Sequence, residues 1–132
     1  MTRCSKCKTN KPSEAFSKDT ERPRGLQSWC KVCAAEHKIF KLYDLTVDEW
    51  YDLWNSHGSA CAACGNPADG PTPHLQRYWH VDHNHNTGKV RGILCHHCNL
   101  TIGNAKESPE RLVRCAEYVI LHNGEPTDIA AP

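Results

Sequence analysis

Eight of the nine cysteines in this 132-residue chain fall into four Cys-x-x-Cys pairs: Cys4/Cys7, Cys30/Cys33, Cys61/Cys64 and Cys95/Cys98. Each pair puts two sulfurs on one tight turn, where both reach a single tetrahedral ion, and two such turns complete a Cys4 zinc site. Taken in chain order, Cys4, Cys7, Cys30 and Cys33 form a first site, and Cys61, Cys64, Cys95 and Cys98 a second. The intervening gaps of 22 and 30 residues exceed the commonest zinc spacing, so each must carry a small structure of its own. A disulfide framework fits less well, because the count is odd, no signal-peptide core opens the chain, and repeated Cys-x-x-Cys pairs suit a metal. No apolar stretch approaches the ~20 residues that cross a bilayer. The expectation is a soluble cytoplasmic protein with no membrane partner.

Large apolar residues are sparse before Ile39, so a first segment so poor in core formers needs a metal as folding energy. The net charge of +1 hides an asymmetry. Residues 1–41 hold ten of the sixteen Lys and Arg residues but four of the fifteen acids, a balance of +6, which leaves −5 for residues 42–132. Two filled Cys4 sites, each adding −2, make these about +4 and −7. A basic zinc element beside an acidic remainder suggests a polyanion-gripping module joined to a cation-binding one.

These patterns predict a small zinc-stabilised α+β protein in three parts: a basic knuckle and linker helix over 1–41, a main domain over 42–124, and a flexible tail over 125–132. Residues 34–41 have helical composition, and Thr46-Val-Asp-Glu49 is a capping box for a helix running to about His57 and stopping at Gly58. Tyr78–Asp82 and Val90–Leu94 read as an antiparallel pair of strands, with residues 86–89 in the connection. A helix follows from Asn99, shortened by Gly103. Ser108 and Pro109 open a last helix to about His122, closed by Asn123-Gly124, on which Leu112, Cys115, Ala116, Val119 and Ile120 make one apolar stripe. On that stripe Cys115 reads as a buried small hydrophobe. No internal repeat accompanies the two Cys4 patterns.

The chemistry concentrates in His80-Val-Asp82-His83-Asn-His85 and in Asn99, which directly follows Cys98. Asp82 offers a hard oxygen suited to Mg²⁺, and Asn99 a second through its amide carbonyl. His83 can take a proton from an attacking water near neutral pH. A nucleophile activator and a cation are what phosphodiester cleavage requires. His96 and His97, inside the last Cys-x-x-Cys turn, read as exposed filler. Arg22, Arg24 and Arg91 are the candidate DNA-backbone contacts. The same inventory also permits a non-catalytic double zinc-knuckle nucleic-acid-binding protein whose histidines are incidental.

Asp82-His-Asn-His85 followed by Thr87-Gly-Lys-Val-Arg91-Gly-Ile-Leu-Cys95-x-x-Cys98-Asn99 resembles the HNH (ββα-metal) nuclease motif. More closely it resembles the recombination endonuclease VII family of phages, over about residues 43–103. The resemblance implies a ββα-metal core, Asp82 and Asn99 as ligands of Mg²⁺ (or Mn²⁺), and His83 as general base. It implies His80 and His85 as assistants at the scissile phosphate and Cys61, Cys64, Cys95 and Cys98 as a structural zinc site. It further implies DNA as partner, branched DNA as one substrate, a homodimer with interlocked helices, and the host cytoplasm as location. Two departures stand out. Ile102 occupies the position where the family pattern has a Glu near the metal, and no long C-terminal region follows residue 122, while the basic knuckle is extra.

Overall fold

The computed structural model describes residues 1–123. It divides into two compact units, one over Met1–Trp50 and one beginning at Tyr51. The division falls within a helix; the sequence-derived boundary at 41/42 lies inside another helix, which runs on to Tyr43. Gly124 and the tail expected over 125–132 lie outside the described residues.

In the first unit, β1 (Thr2–Arg3) pairs antiparallel with β2 (Asn10–Lys11), and β3 (Phe16–Lys18) with β4 (Leu26–Cys30). Helix α1 (Lys31–Tyr43) follows β4 without a break, three residues earlier than expected, because Cys30 ends the strand and caps the helix. Asp44, left-handed at φ 53°, closes α1 by donating its N–H to the Phe40 carbonyl at 2.8 Å. The core is small: Cys4, Phe16 and Cys30 are buried, with Ala15, Leu26, Trp29 and Cys33 packed around them.

Helix α2 (Val47–Ser56) starts on the predicted capping box. The Thr46 hydroxyl oxygen accepts from the Glu49 N–H at 3.2 Å, and Glu49 Oε1 accepts from the Thr46 N–H at 3.3 Å. It ends through Ser59 N–H to Trp54 O at 3.0 Å, with Gly58 left-handed at φ +83°, the conformation only glycine adopts without steric cost. Trp50 and Trp54 are both buried, as their helical spacing predicts.

In the second unit, β5 (Trp79–His83) and β6 (Val90–Cys95) form the predicted hairpin, and α3 (His96–Asn104) packs on both strands. Trp54 meets Trp79 edge to face at 4.7 Å between ring centroids, over a core that includes Ile93, Leu94, Cys61 and Cys95. Gly92 is buried where a Cβ would stand 3.3 Å from Ala62 Cβ, so a side chain there would require the Cys61–Cys64 turn to shift by a few tenths of an ångström. Helix α3 begins at His96 rather than Asn99, because the Cys95 sulfur accepts the Cys98 N–H at 3.4 Å and the Cys-x-x-Cys turn is the helix's first turn.

Helix α4 (Pro109–Asn123) begins as predicted, with Ser108 Oγ accepting the Arg111 N–H at 3.1 Å. Its stripe is not core. Cys115 is exposed, correcting its expected burial, and so are Val119 and Ile120; only Leu112 on that face is half-covered. Periodicity reports an apolar face but not what covers it.

Replacing Trp54 by Ala removes the largest partner of Trp79 and is expected to destabilise the second unit by about 3–5 kcal/mol. The fall in its urea midpoint, with loss of near-UV circular dichroism, measures this.

Candidate functional site

Two four-sulfur clusters organise the two units. In each quartet, Cys4, Cys7, Cys30 and Cys33 or Cys61, Cys64, Cys95 and Cys98, the sulfurs all lie within 4.8 Å of one another. Cys4 to Cys33 is 3.9 Å and Cys64 to Cys95 is 3.8 Å. Sulfurs about 2.3 Å from a tetrahedral zinc stand about 3.8 Å apart, whereas a disulfide needs about 2 Å. The donor set and its spacing therefore fit zinc in both places, and all nine cysteines are free.

The proton affinities show why a cation belongs there. At Cys4, burial alone would raise the pKa, but N–H groups from Cys30, Cys7 and Lys6 outweigh it and bring it down to about 6. At Cys61, burial is likewise outweighed by the N–H groups of Cys64, Cys95 and Ala63, giving about 7. Their neighbours move the other way. Burial and the adjoining thiols push Cys33 up to about 12, and burial with Cys95 and Cys64 raises Cys98. Four thiolates this close cannot all ionise without a dication between them. Lys11, its Nζ 3.1 Å from Cys30 Sγ, offsets part of the charge of the first cluster.

The second cluster fixes the hairpin. The Cys95 N–H donates to Cys61 Sγ at 3.3 Å, and the Ala62 N–H donates to the Ile93 carbonyl at 3.0 Å, stitching the Cys61–Cys64 turn along β6. His57, just past the end of α2, adds a latch. Its Nδ1 donates to the Ala60 carbonyl at 2.8 Å while its Nε2 accepts the Ile93 N–H at 3.3 Å, which selects one neutral tautomer.

At the far end of the hairpin the register slips. Asp82 pairs with Gly92 and His83 with Val90, so Arg91 is an extra residue bulged out of β6 beside them. Bulges re-aim side chains, and here one sits among the predicted catalytic residues. Asn84, between His83 and His85, makes the turn: its Oδ1 accepts from the N–H groups of Asn86 at 2.8 Å and Thr87 at 3.0 Å. The rings of His83 and His85 consequently lie 4.8 Å apart. His80 pairs with His96, Nε2 to Nδ1 at 3.1 Å, so His96 is exposed but not idle. Burial first and His96 second lower the pKa of His80, favouring its neutral ring.

Asp82 is mostly covered, its side chain 17% exposed, and both its oxygens are engaged by Arg91: Nε to Oδ2 at 2.8 Å and Nη2 to Oδ1 at 3.0 Å. Arg91 Nη2 also holds Glu107 Oε1. Arg91, expected at a DNA phosphate, thus spends its fork on two carboxylates. Asn99 stands half-buried in the first turn of α3, directly after Cys98. The Arg91 fork uses one lone pair on each Asp82 oxygen and leaves the others. Glu107 and His96 had no signal in the sequence; both act through partners remote in the chain.

Arg22 and Arg24 lie in the first unit, where with Arg3 they line a cleft of about 270 Å³. Arg22 Nε is tied to Asp19 Oδ2 at 3.1 Å. No helix among the described residues is long and apolar enough to cross a membrane.

A short hairpin joined through four clustered cysteine sulfurs to the helix that follows, with histidines and a carboxylate at its open end, is a ββα unit built around a Cys4 cluster of the kind that holds zinc. The chain belongs to the recombination endonuclease VII family, an endonuclease family whose model matches residues 36–120. It is similar to the Gene 59 protein of Mycobacterium phage L5, 37% identical over 98 residues, covering 74% of this chain and 53% of that protein. It is also similar to the Gene 59 protein of Mycobacterium phage D29, 35% identical over 97 residues, covering 73% and 52% respectively. The chain spans about half the length of these curated relatives. Among solved structures, the ββα-Me type II restriction endonuclease Hpy99I matches with a TM-score of 0.41 and 23% identity, covering 91% of this chain and 65% of that one.

The protein is expected to carry two zinc ions per chain by elemental analysis. Cys98→Ser should lose one of them, and a strong chelator at neutral pH should abolish the far-UV dichroism of α3 and the hairpin together.

Proposed function

We propose that this chain is a divalent-metal-dependent DNA endonuclease that hydrolyses phosphodiester bonds. The observation that supports the reading is the bulged end of the β5–β6 hairpin, where Asp82 and His83 are consecutive residues of the strand against which the helix bearing Asn99 packs. Membership of the recombination endonuclease VII family supports it.

In this reading Asp82 and Asn99 hold Mg²⁺ or Mn²⁺. The bound cation would neutralise charge developing on the phosphate oxygens and the leaving oxygen. His83 accepts the proton of the attacking water, through an imidazole that can act near neutral pH. His85, 4.8 Å away ring to ring, and His80, kept neutral by burial, orient and polarise the scissile phosphate. His57 and the second cysteine cluster hold the hairpin so that these groups need not reorganise on binding DNA.

The basic cleft of Arg3, Arg22 and Arg24 grips the DNA backbone without reading sequence. Branched DNA is the proposed substrate and a homodimer the proposed active form. The exposed apolar residues of α4, among them Val113, Tyr118, Ile120 and Leu121, support the latter. The proposed setting is the host cytoplasm.

Purified protein with Mg²⁺ is expected to nick supercoiled plasmid, and His83→Ala should abolish nicking while leaving the gel shift intact. Asp82→Asn and Asn99→Ala should likewise lose cutting but keep zinc. Retardation without cleavage by the wild type would favour the non-catalytic zinc-knuckle reading. Arg24→Ala is expected to weaken DNA binding uniformly across sequences and to make the plot of log affinity against log salt shallower by about 1.

A further inference from the structure

The cluster at the hairpin's open end contains two residues to which the proposed mechanism gives no work. Arg91 occupies the bulge and forks onto both oxygens of Asp82, at 2.8 and 3.0 Å. A fork of this kind fixes the carboxylate plane as well as its position, which a single hydrogen bond cannot do. The same Nη2 that donates to Asp82 Oδ1 also holds Glu107 Oε1.

Glu107 reaches this place by an unusual route. Lys106 and Glu107 are consecutive left-handed residues, at φ 57° and 54°, a conformation that ordinary side chains disfavour. The turn they make returns the Glu107 N–H to the carbonyl of Ile102 at 3.0 Å. The turn thereby brings Glu107 to within one guanidinium of Asp82.

Charge explains why both residues are present. Asp82 and Arg91 alone make a neutral pair with little attraction for a dication. Adding Glu107 returns the group to a net charge of −1 while leaving Asp82 clamped.

We infer that Arg91 is a positioning residue that sets the plane of Asp82 for a divalent cation, and that Glu107 locks Arg91 in place and restores a negative charge to the group. This rests on the proposed nuclease reading, in which Asp82 is a cation ligand. Arg91 is neither a phosphate contact nor a competitor for the metal site.

The test uses the full zinc-loaded chain and Mn²⁺ alone as probe, following its binding without DNA by loss of the free Mn²⁺ paramagnetic signal, and plasmid nicking over the same titration. Arg91→Lys, which keeps the charge but not the fork, should weaken Mn²⁺ binding about tenfold, the range seen when groups supporting metal ligands are removed. Glu107→Gln should weaken it several-fold. Both should nick at near wild-type rates once Mn²⁺ saturates. Zinc content and the thermal midpoint verify folding; should Arg91→Lys fail there, the exposed Glu107 site still decides the matter. Wild-type Mn²⁺ affinity in a folded Glu107→Gln, or tighter binding in Arg91→Ala, would overturn the inference while leaving the nuclease reading intact. A wild type that neither binds Mn²⁺ nor nicks would overturn both.

Discussion

The corner between a strand and a helix, closed by four cysteine sulfurs, is the constraint on which everything else here depends. It is used twice. Cys30 ends β4 and caps α1, and Cys95 ends β6 and caps α3, with nearly the same backbone angles, φ −67°, ψ 161° and φ −68°, ψ 161°. In each case the second cysteine of the pair falls within the first helical turn, so one cation held by the quartet would tie strand, helix and a distant turn together. Apolar burial could not do this at the first quartet, where Phe16 is the one buried side chain clustered with Cys4 and Cys30. The opposed proton affinities within each quartet express the same dependence, since the cluster is at ease only when a dication offsets its charge.

Rigidity at one end of the hairpin permits irregularity at the other. The Cys61–Cys64 turn, the close approach at Gly92 and the two hydrogen bonds of His57 hold β6 along much of its length. Past Gly92 the register breaks, and the bulge places Arg91 beside Asp82. An unclamped two-stranded ribbon would be marginal in water and would not keep such a fault in one register. Structural sulfur chemistry and candidate phosphate chemistry therefore belong to one ribbon, separated by a few residues.

Much of this was legible in the sequence, for reasons that can be named. Cysteine spacing specified both clusters, because a Cys-x-x-Cys turn has few uses besides a metal. The Thr46–Glu49 capping box, the Ser108 cap and the Val90–Leu94 strand are local signals, and each appears where it was read. The misreadings came from the same clusters. Helices α1 and α3 start early because a cysteine can be ligand and cap at once, which composition does not reveal. The stripe on α4 was read as core, yet Cys115 is exposed, since an apolar period carries no record of its partner. The Asp82–Arg91–Glu107 chain was invisible because it needs a register slip and two left-handed residues, neither of which has a propensity signature.

Asn84 shows how a signature letter can mislead. It stands between two histidines in the segment most suggestive of catalysis, yet its carboxamide oxygen is spent on the backbone of Asn86 and Thr87, and its own N–H and carbonyl bond Lys89 and Gly88. The residue is a pivot rather than a reagent. Drift at this position should accordingly follow loop stereochemistry, admitting aspartate or serine, which keep a short acceptor, and rejecting leucine or valine, which offer none.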